Sequence, residues 1–471
     1  MQSFRSNISA NTIQLAINQF FSLLVFYFLS KGLTKDDFGE LNWTLAIFIS
    51  VFTILSFGID QMIIKKVAAG ENKGHALSLH LYHVITNGLF FYTLLIGLHF
   101  IFPGFFEQHS LLLLLGAGKL LLFFSTPFKS IASGQRFFRA VLYMSVSSTI
   151  IKGVSICFLF CRNNISLATV IPVFIVADCS ELIFGLYLTR KILKVPLVLK
   201  FNGRAYWQLL REACPQIGVV VFSAALARMD WILIGFFLPA NKLAEYSFAY
   251  KAFEMACLPL LVIAPLLVPY FTGLLTEGKS LDRHENVHLL LRVEMAIACL
   301  FALCLNIIWN PFVDAITGGK YGAVNTTTVF ILSTALPVLY LNNFLWSIHF
   351  SSGNTRIIFY SFVLAFSLNL LGNIMLLPFF GNEGAAFSYL LSIAVQTAFY
   401  FTQLKEKMII GRQSLLLCSV CAFCSGLISK YSTLNIWWLL PLSITVYIIL
   451  LLCTVQLRKT DWQIFKRVVN I

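Results

Sequence analysis

From Thr12 onward the chain is a succession of long uncharged stretches separated by short polar breaks. Apolar runs cover roughly 12–33, 41–59, 81–102, 111–127, 140–160, 167–188, 213–238, 246–272, 289–309, 324–350, 357–377, 385–403, 414–429 and 434–455. A helix of about 20 apolar residues crosses the hydrocarbon of a bilayer. These runs are apolar all round, with none of the two-residue alternation of a barrel strand, so helix is the one spanning element they fit. The pattern predicts an all-α integral membrane protein of about fourteen transmembrane helices. The first run is long enough to span and more spans follow, so it reads as a retained helix and not as a cleaved signal peptide.

The polar breaks alternate in charge. With the N-terminus placed in the cytoplasm, 24 of the 34 Lys and Arg residues fall on the cytoplasmic side. Among them are Lys65, Lys66, Lys129, Arg136, Arg190, Lys191, Lys200, Lys279, Arg283, Arg292, Lys405, Lys407, Lys459, Lys466 and Arg467. Six fall on the far side: Lys31, Lys35, Arg162, Lys242, Lys320 and Lys430. This bias is the positive-inside signal, and it predicts cytoplasmic N- and C-termini. It also accounts for the net charge of +14 without a nucleic-acid partner.

Composition agrees with lipid as the solvent. Of 471 residues 58% are hydrophobic and 11% charged, against about 25% charged in soluble domains, and the mean hydropathy is +0.83. The breaks are too short to hold a soluble domain. Most of the eleven cysteines sit inside apolar runs, where cysteine serves as a small apolar side chain. Cys418, Cys421 and Cys424 recur every third residue near one helical face, but no His or carboxylate is near them in sequence. Neither a metal site nor a disulfide framework is expected, and the absence of a Gly-rich phosphate loop leaves no cofactor to predict. Trp207, Trp309, Trp437 and Trp438 fall near run ends, as interfacial tryptophans do.

Two stretches of the chain echo each other. Phe38-Gly39-Glu40-Leu41 follows the first run and Leu243-Ala244-Glu245-Tyr246 the seventh. Ala132-Ser133-Gly134-Gln135 precedes the fifth and Ser351-Ser352-Gly353-Asn354 the eleventh. The expected organisation is therefore a first six-helix bundle over 1–200, a second over 201–408, and two extra helices with a basic cytoplasmic tail over 409–471. Six is even, so both bundles start on the same side and form a parallel repeat. Transporters built that way bind substrate between the repeats.

The chemistry is concentrated in charges inside the runs. A charge at mid-bilayer costs between about 2.5 and 17 kcal/mol depending on the method, so such residues face a cavity or a partner. Four bases qualify, Lys119, Lys152, Arg228 and Lys251, and four acids, Asp178, Glu181, Asp230 and Glu254. Asp178 and Glu181 are three apart and share a helix face, as do Lys251 and Glu254. Arg228 and Asp230 are two apart and point away from each other. One reading is an aqueous cavity between the bundles whose cations hold an anionic headgroup such as a diphosphate, with a carboxylate carrying a coupling proton. The other is structural pairing, Lys152 with Asp178 and Lys251 with Glu254. Pro172, Pro337 and the trio Pro259, Pro265 and Pro269 interrupt their runs, as hinges or as static kinks.

At these residues the chain resembles the Wzx-type polysaccharide flippases of the superfamily that includes the MATE multidrug exporters. The resemblance rests on Arg228-Met229-Asp230-Trp231-Ile232-Leu233-Ile234-Gly235 with Ala244-Glu245-Tyr246 after it. It also rests on Ser9-Ala10-Asn11-Thr12 with Gly32-Leu33 and Phe38-Gly39, and on the Ser-Gly-Gln/Asn turns. It implies a transporter and not an enzyme, one that flips an undecaprenyl-diphosphate-linked oligosaccharide, such as an O-antigen unit, across the bacterial inner membrane by ion-coupled alternating access. Arg228, Lys251, Lys152 and Lys119 would form its cationic site. Membrane lipids, a polysaccharide polymerase and chain-length proteins would be its partners. A cation-coupled drug exporter of the same fold would want an acidic cavity, which the four bases oppose. A membrane polymerase or glycosyltransferase would want a sizeable outer loop, which the short breaks do not offer.

Overall fold

The computed structural model describes residues 4–197, 202–276, 285–404, 409–432 and 435–458. Lys200, Lys279, Arg283, Lys405, Lys407 and the basic tail from Lys459 onward lie outside them. The described chain is helical throughout, and by contacts it divides into two compact units, Met1–Arg228 and Met229–Ile471. The division falls within one helix, 28 residues beyond the boundary expected at 200/201. The sequence offers a polar break there, whereas the helix that follows still packs against the first unit through its opening turns.

The first unit holds α1 (Phe4–Gly32), α2 (Lys35–Leu55), α3 (Ile59–Ala68), α4 (Lys73–Ile101), α5 (Pro103–Gln108), α6 (Leu111–Gly134), α7 (Phe138–Cys161), α8 (Leu167–Lys191) and most of α9 (Gly203–Phe237). Local chemistry sets several starts. The Thr34 side chain accepts the Asp37 N–H at the head of α2, with Asp36 and Asp37 in its first turn, where carboxylates complement the helix dipole. Asn72 caps α4, and Ser166 with Thr169 forms a reciprocal capping box on α8. The second apolar run ends at Phe57 and Gly58, both left-handed (φ 51° and 69°), and α3 restarts at a new angle.

Helix α6 lies at the centre of this unit, against α2, α3, α4, α7 and α8. Gly118 lets it approach α8, because a Cβ there would lie 3.2 Å from the Ile175 Cα. Ile59, Ile63, Leu77, Ile131, Ala140, Leu188 and Leu209 form a buried core at the end where α3, α4, α7 and α9 begin and α6 and α8 finish.

The second unit holds the rest of α9, α10 (Ala240–Ala256), α11 (Leu258–Thr276), α12 (Glu285–Thr317), α13 (Thr326–Ser351), α14 (Thr355–Thr402), α15 (Ile409–Tyr431) and α16 (Ile436–Cys453). Helices α12 and α13 pack together, α13 against α14, and α15 and α16 against α12. Among the described residues eleven helices are long and apolar enough to cross a membrane. The 48-residue α14 is two spans joined at a kink where Gly381 takes φ 54° and ψ −134°. The expected eighth run is α10 and α11 in succession, and α15 supplies the thirteenth. Every one of the fourteen expected runs therefore has a helical counterpart, and the protein is a multi-pass, all-α membrane protein.

Several expectations change in detail. The eighth run breaks at Cys257, ahead of its three prolines; Pro259 is the second residue of α11, where the missing N–H has no helical partner to lose. The exit from α2 differs: it passes through two left-handed residues, whereas Cys257 is right-handed (φ −84°) and α11 follows at once. The turns after α6 and α13 match, but two residues out of the register suggested by the Ser-Gly motifs. The left-handed residues are Arg136 (φ 58°) and Gly353 (φ 73°). Arg136 and Phe137 donate back to Ser133 and Ala132, as Gly353 and Asn354 donate to Phe350 and His349. Lys129, assigned from sequence to a cytoplasmic break, lies inside α6 because that helix extends beyond its apolar run, and Arg292, counted from sequence with the cytoplasmic side, lies inside α12. Trp207, Trp437 and Trp438 are exposed near helix starts, but Trp309 is buried and donates to the Gly322 carbonyl at 2.8 Å. Cys418 and Cys421 are buried and Cys424 exposed, and among the described residues no group of three metal-ligating side chains converges.

Candidate functional site

In the first unit three mid-helix side chains converge. Lys119 on α6 donates to Asp178 Oδ2 at 2.7 Å, and Lys152 on α7 donates to Asp178 Oδ1 at 2.5 Å. Both ammonium groups also lie over the Phe174 ring, 5.5 and 5.4 Å from its centroid. Asp178 and Phe174 are one turn apart on α8 and so share a face. The close approach that Gly118 permits brings the neighbouring Lys119 within reach of them. Asp178 is fully buried and Lys119 is 7% exposed. One carboxylate thus faces two ammonium groups, and the triad carries one positive charge in excess.

A second pair lies about one turn along the same seam. Lys129 on α6 donates to Glu181 Oε1 at 2.5 Å. The pairing of Lys152 with Asp178 is the structural alternative that the sequence offered, but Asp178 is shared with Lys119. Glu181 takes Lys129, a partner hidden by the assignment of that lysine to a loop.

The site residues of α9 and α10 are arranged differently. Lys251 donates to Glu254 at 3.0 Å, an i,i+3 pair with side chains 18% and 29% exposed. Asp230 is buried and accepts from the Tyr246 hydroxyl at 2.9 Å and from Asn373 Nδ2 at 3.0 Å. Arg228 is half-buried on α9. Asp230 is thus held by neutral donors on α10 and α14, which span counting has no means of pairing. Around α13 and α14 the neutral polar groups extend further: Asn342 donates to Gln396 and Thr397, and Ser361 to the Tyr400 hydroxyl.

Two further sets of groups escaped the sequence reading. Glu294, 1% exposed on α12, lies inside the ninth apolar run yet was not among the acids picked out there. Its sequence signal is a lone carboxylate in an apolar run. The other is a histidine cluster at the start of α4. His80 Nε2 lies 2.9 Å from Asp60 Oδ1. His83 places Nδ1 3.0 Å from the Tyr206 hydroxyl and Nε2 2.8 Å from the Leu55 carbonyl oxygen. Burial opposes ionisation of Asp60, but the contact and charge of His80 outweigh it and hold the carboxyl below the usual carboxylate range. The three-residue spacing of His80 and His83 is the signal that could have revealed this cluster.

The model of the family described as "Polysaccharide biosynthesis protein" matches residues 4–275, more than half of the chain. The chain belongs to that family. Its fold is shared with solved transporters. The structure titled "Lipid II flippase MurJ, inward closed conformation" superposes with a TM-score of 0.68 at 16% identity, over 92% of this chain and 97% of the other. An inward-facing MATE family multidrug transporter of the MOP superfamily gives 0.64 at 13% identity, over 86% and 98%. A MOP superfamily transporter from Pyrococcus furiosus, titled for the reverse polarity of its binding pocket, gives 0.57 at 11% identity, over 90% and 95%. No curated protein matches. The chain is thus a member of the polysaccharide biosynthesis family whose fold is that of these solved transporters.

Proposed function

We propose that the protein flips an undecaprenyl-diphosphate-linked oligosaccharide, an O-antigen unit or similar surface-polysaccharide precursor, across the bacterial inner membrane by ion-coupled alternating access, with both termini in the cytoplasm. The observation that carries this reading is the Lys119–Asp178–Lys152 triad. Its uncompensated positive charge sits near the middle of three transmembrane helices, a position that is costly unless an anion visits it. A diphosphate headgroup is such an anion, and on this reading Lys119 and Lys152 exchange Asp178 for it. Arg228 and Lys251 belong to the same proposal as the bases that meet the cargo from α9 and α10. Asp178, Glu181, Asp230 and Glu254 are counter-charges to these bases or carriers of the coupled ion. The fold similarity to a lipid II flippase supports a lipid-linked cargo. The same triad disfavours a cationic drug, because its carboxylate already holds two lysines. A polymerase and chain-length proteins would act next on the flipped product.

The test separates charge as cargo site from charge as helix glue. The triple variant Lys119→Met/Lys152→Met/Asp178→Asn removes all three charges at similar volume, a change that buried ion networks often tolerate in stability. It is expected to reach the membrane at the native level and to abolish surface polysaccharide. Normal polysaccharide from this variant, and from Arg228→Ala and Lys251→Ala, would overturn the cationic-site reading.

A further inference from the structure

Within the second unit one ionisable group stands apart from every pairing described above. Glu294 is the tenth residue of α12, about 14 Å along the helix axis from its first residue. Its side chain is 1% exposed, and neither carboxyl oxygen has a hydrogen-bond partner among the described residues. Leu291 and Ala298, close to one turn away on either side, are as deeply buried. The chain therefore surrounds this carboxyl with apolar side chains and protein, not with lipid headgroups or water.

Among the described residues no hydrogen bond reaches either Glu294 oxygen from the helices packed against α12. On α13 the Tyr340 hydroxyl donates to the Ala256 carbonyl oxygen at 3.2 Å. The buried Cys418 and Cys421 lie on α15, and from α16 the Tyr447 hydroxyl donates to the Ala296 carbonyl oxygen at 3.0 Å. On α10, Lys251 and Glu254 bond each other. On α12 itself, Arg292 is two residues away and projects from a different face. Among the described residues an ionised Glu294 carboxylate would have no hydrogen-bond donor, and burying such a group without one is costly.

We propose that Glu294 is a proton-binding site and that its proton is the ion coupled to transport. In the conformation described here the carboxyl is neutral. In a conformation that hydrates α12 it releases the proton as a free carboxylate, and it recovers one when the site closes again. No other co-reactant is needed, since one O–H bond forms and breaks per cycle. The coupling role rests on the transport reading above, whereas the proton site itself does not.

The experiment therefore has two arms. In the first, infrared difference spectra compare the purified full-length protein with Glu294→Gln at neutral pH. The native protein is expected to show a carboxylic-acid C=O stretch, shifted by deuterium exchange, that the variant lacks; identical spectra overturn the proposal. In the second, vesicles containing either protein and a fluorescent undecaprenyl-diphosphate oligosaccharide are given a pH gradient. One proton per cycle lets a gradient of one pH unit support about a tenfold bias between leaflets. Glu294→Gln, fixed in the neutral form, is expected to lose that bias. A variant that keeps the native bias overturns the coupling role. If the native protein flips none of this lipid but shows the carboxylic-acid band, the cargo assignment fails and the proton site stands.

Discussion

Replacing Asp178 with Asn is the most direct perturbation of the triad. The carboxylate receives Lys119 at 2.7 Å and Lys152 at 2.5 Å, with side-chain exposures of 9% and 18% for the lysines. Removing one partner of a buried pair costs about 3–5 kcal/mol, because the other charge is left without compensation. Here two ammonium groups lose their shared counter-charge. The Phe174 ring lies beneath both ammonium groups before and after the change, so it leaves the difference unaltered. An asparagine oxygen still accepts one hydrogen bond. Asp178→Asn should therefore destabilise the first unit by about 3 kcal/mol, a fall in Tm on the order of 10 °C for a unit of this size. The assay is thermal unfolding of purified protein in one detergent, with membrane levels as a check. Removing the orphaned lysines should restore stability stepwise, Asp178→Asn/Lys152→Met first and the triple neutral variant further. Asp178→Asn unfolding together with the native protein, or failure of the lysine removals to recover stability, would refute the argument that a shared buried carboxylate holds α6, α7 and α8 together.

Three further outcomes are expected. Gly118→Leu places a side chain 3.2 Å from the Ile175 backbone and should cost about 1–3 kcal/mol as an overpacked contact; a thermal midpoint equal to native would show that α6 and α8 can separate freely. Arg136→Gly should stabilise and Gly353→Ala destabilise by about 1 kcal/mol each, since both positions are left-handed; denaturation midpoints moving together in one direction would contradict this. Hydrogen bonds from Lys66 and then Gln208 hold Glu212 below the usual glutamate value. Its contribution is therefore present above about pH 4.3 and lost as pH falls below it. The Lys66–Glu212 contact is partly exposed, so the contribution is at most about 1 kcal/mol. Glu212→Gln should lower the unfolding midpoint near neutral pH and leave it unchanged in strong acid, and an acid-independent difference would exclude the ion pair as the cause.

The amino-acid order by itself determined the fold class, the fourteen apolar runs and most of the ionisable residues within them, Glu294 and Lys129 excepted. Each of these depends on local physics, namely the helix length needed to cross hydrocarbon and the cost of a charge within it. Helix faces were legible too: three-residue spacing put Asp178 beside Glu181 and Lys251 beside Glu254 before any partner was known. Tertiary structure decided the pairing. Asp178 is shared because Gly118 lets α6 close on α8, Lys129 reaches Glu181 because α6 continues through Pro127, and Asp230 is held by Tyr246 and Asn373 from helices distant in sequence. The break at Cys257 and the register of the Arg136 and Gly353 turns likewise followed from packing rather than from the prolines and Ser-Gly pairs that seemed to mark them. Glu294 shows the same division: its position in an apolar run is a fact of sequence, whereas the lack of a hydrogen-bond partner among the described residues is settled only once α10, α13, α15 and α16 have folded against α12.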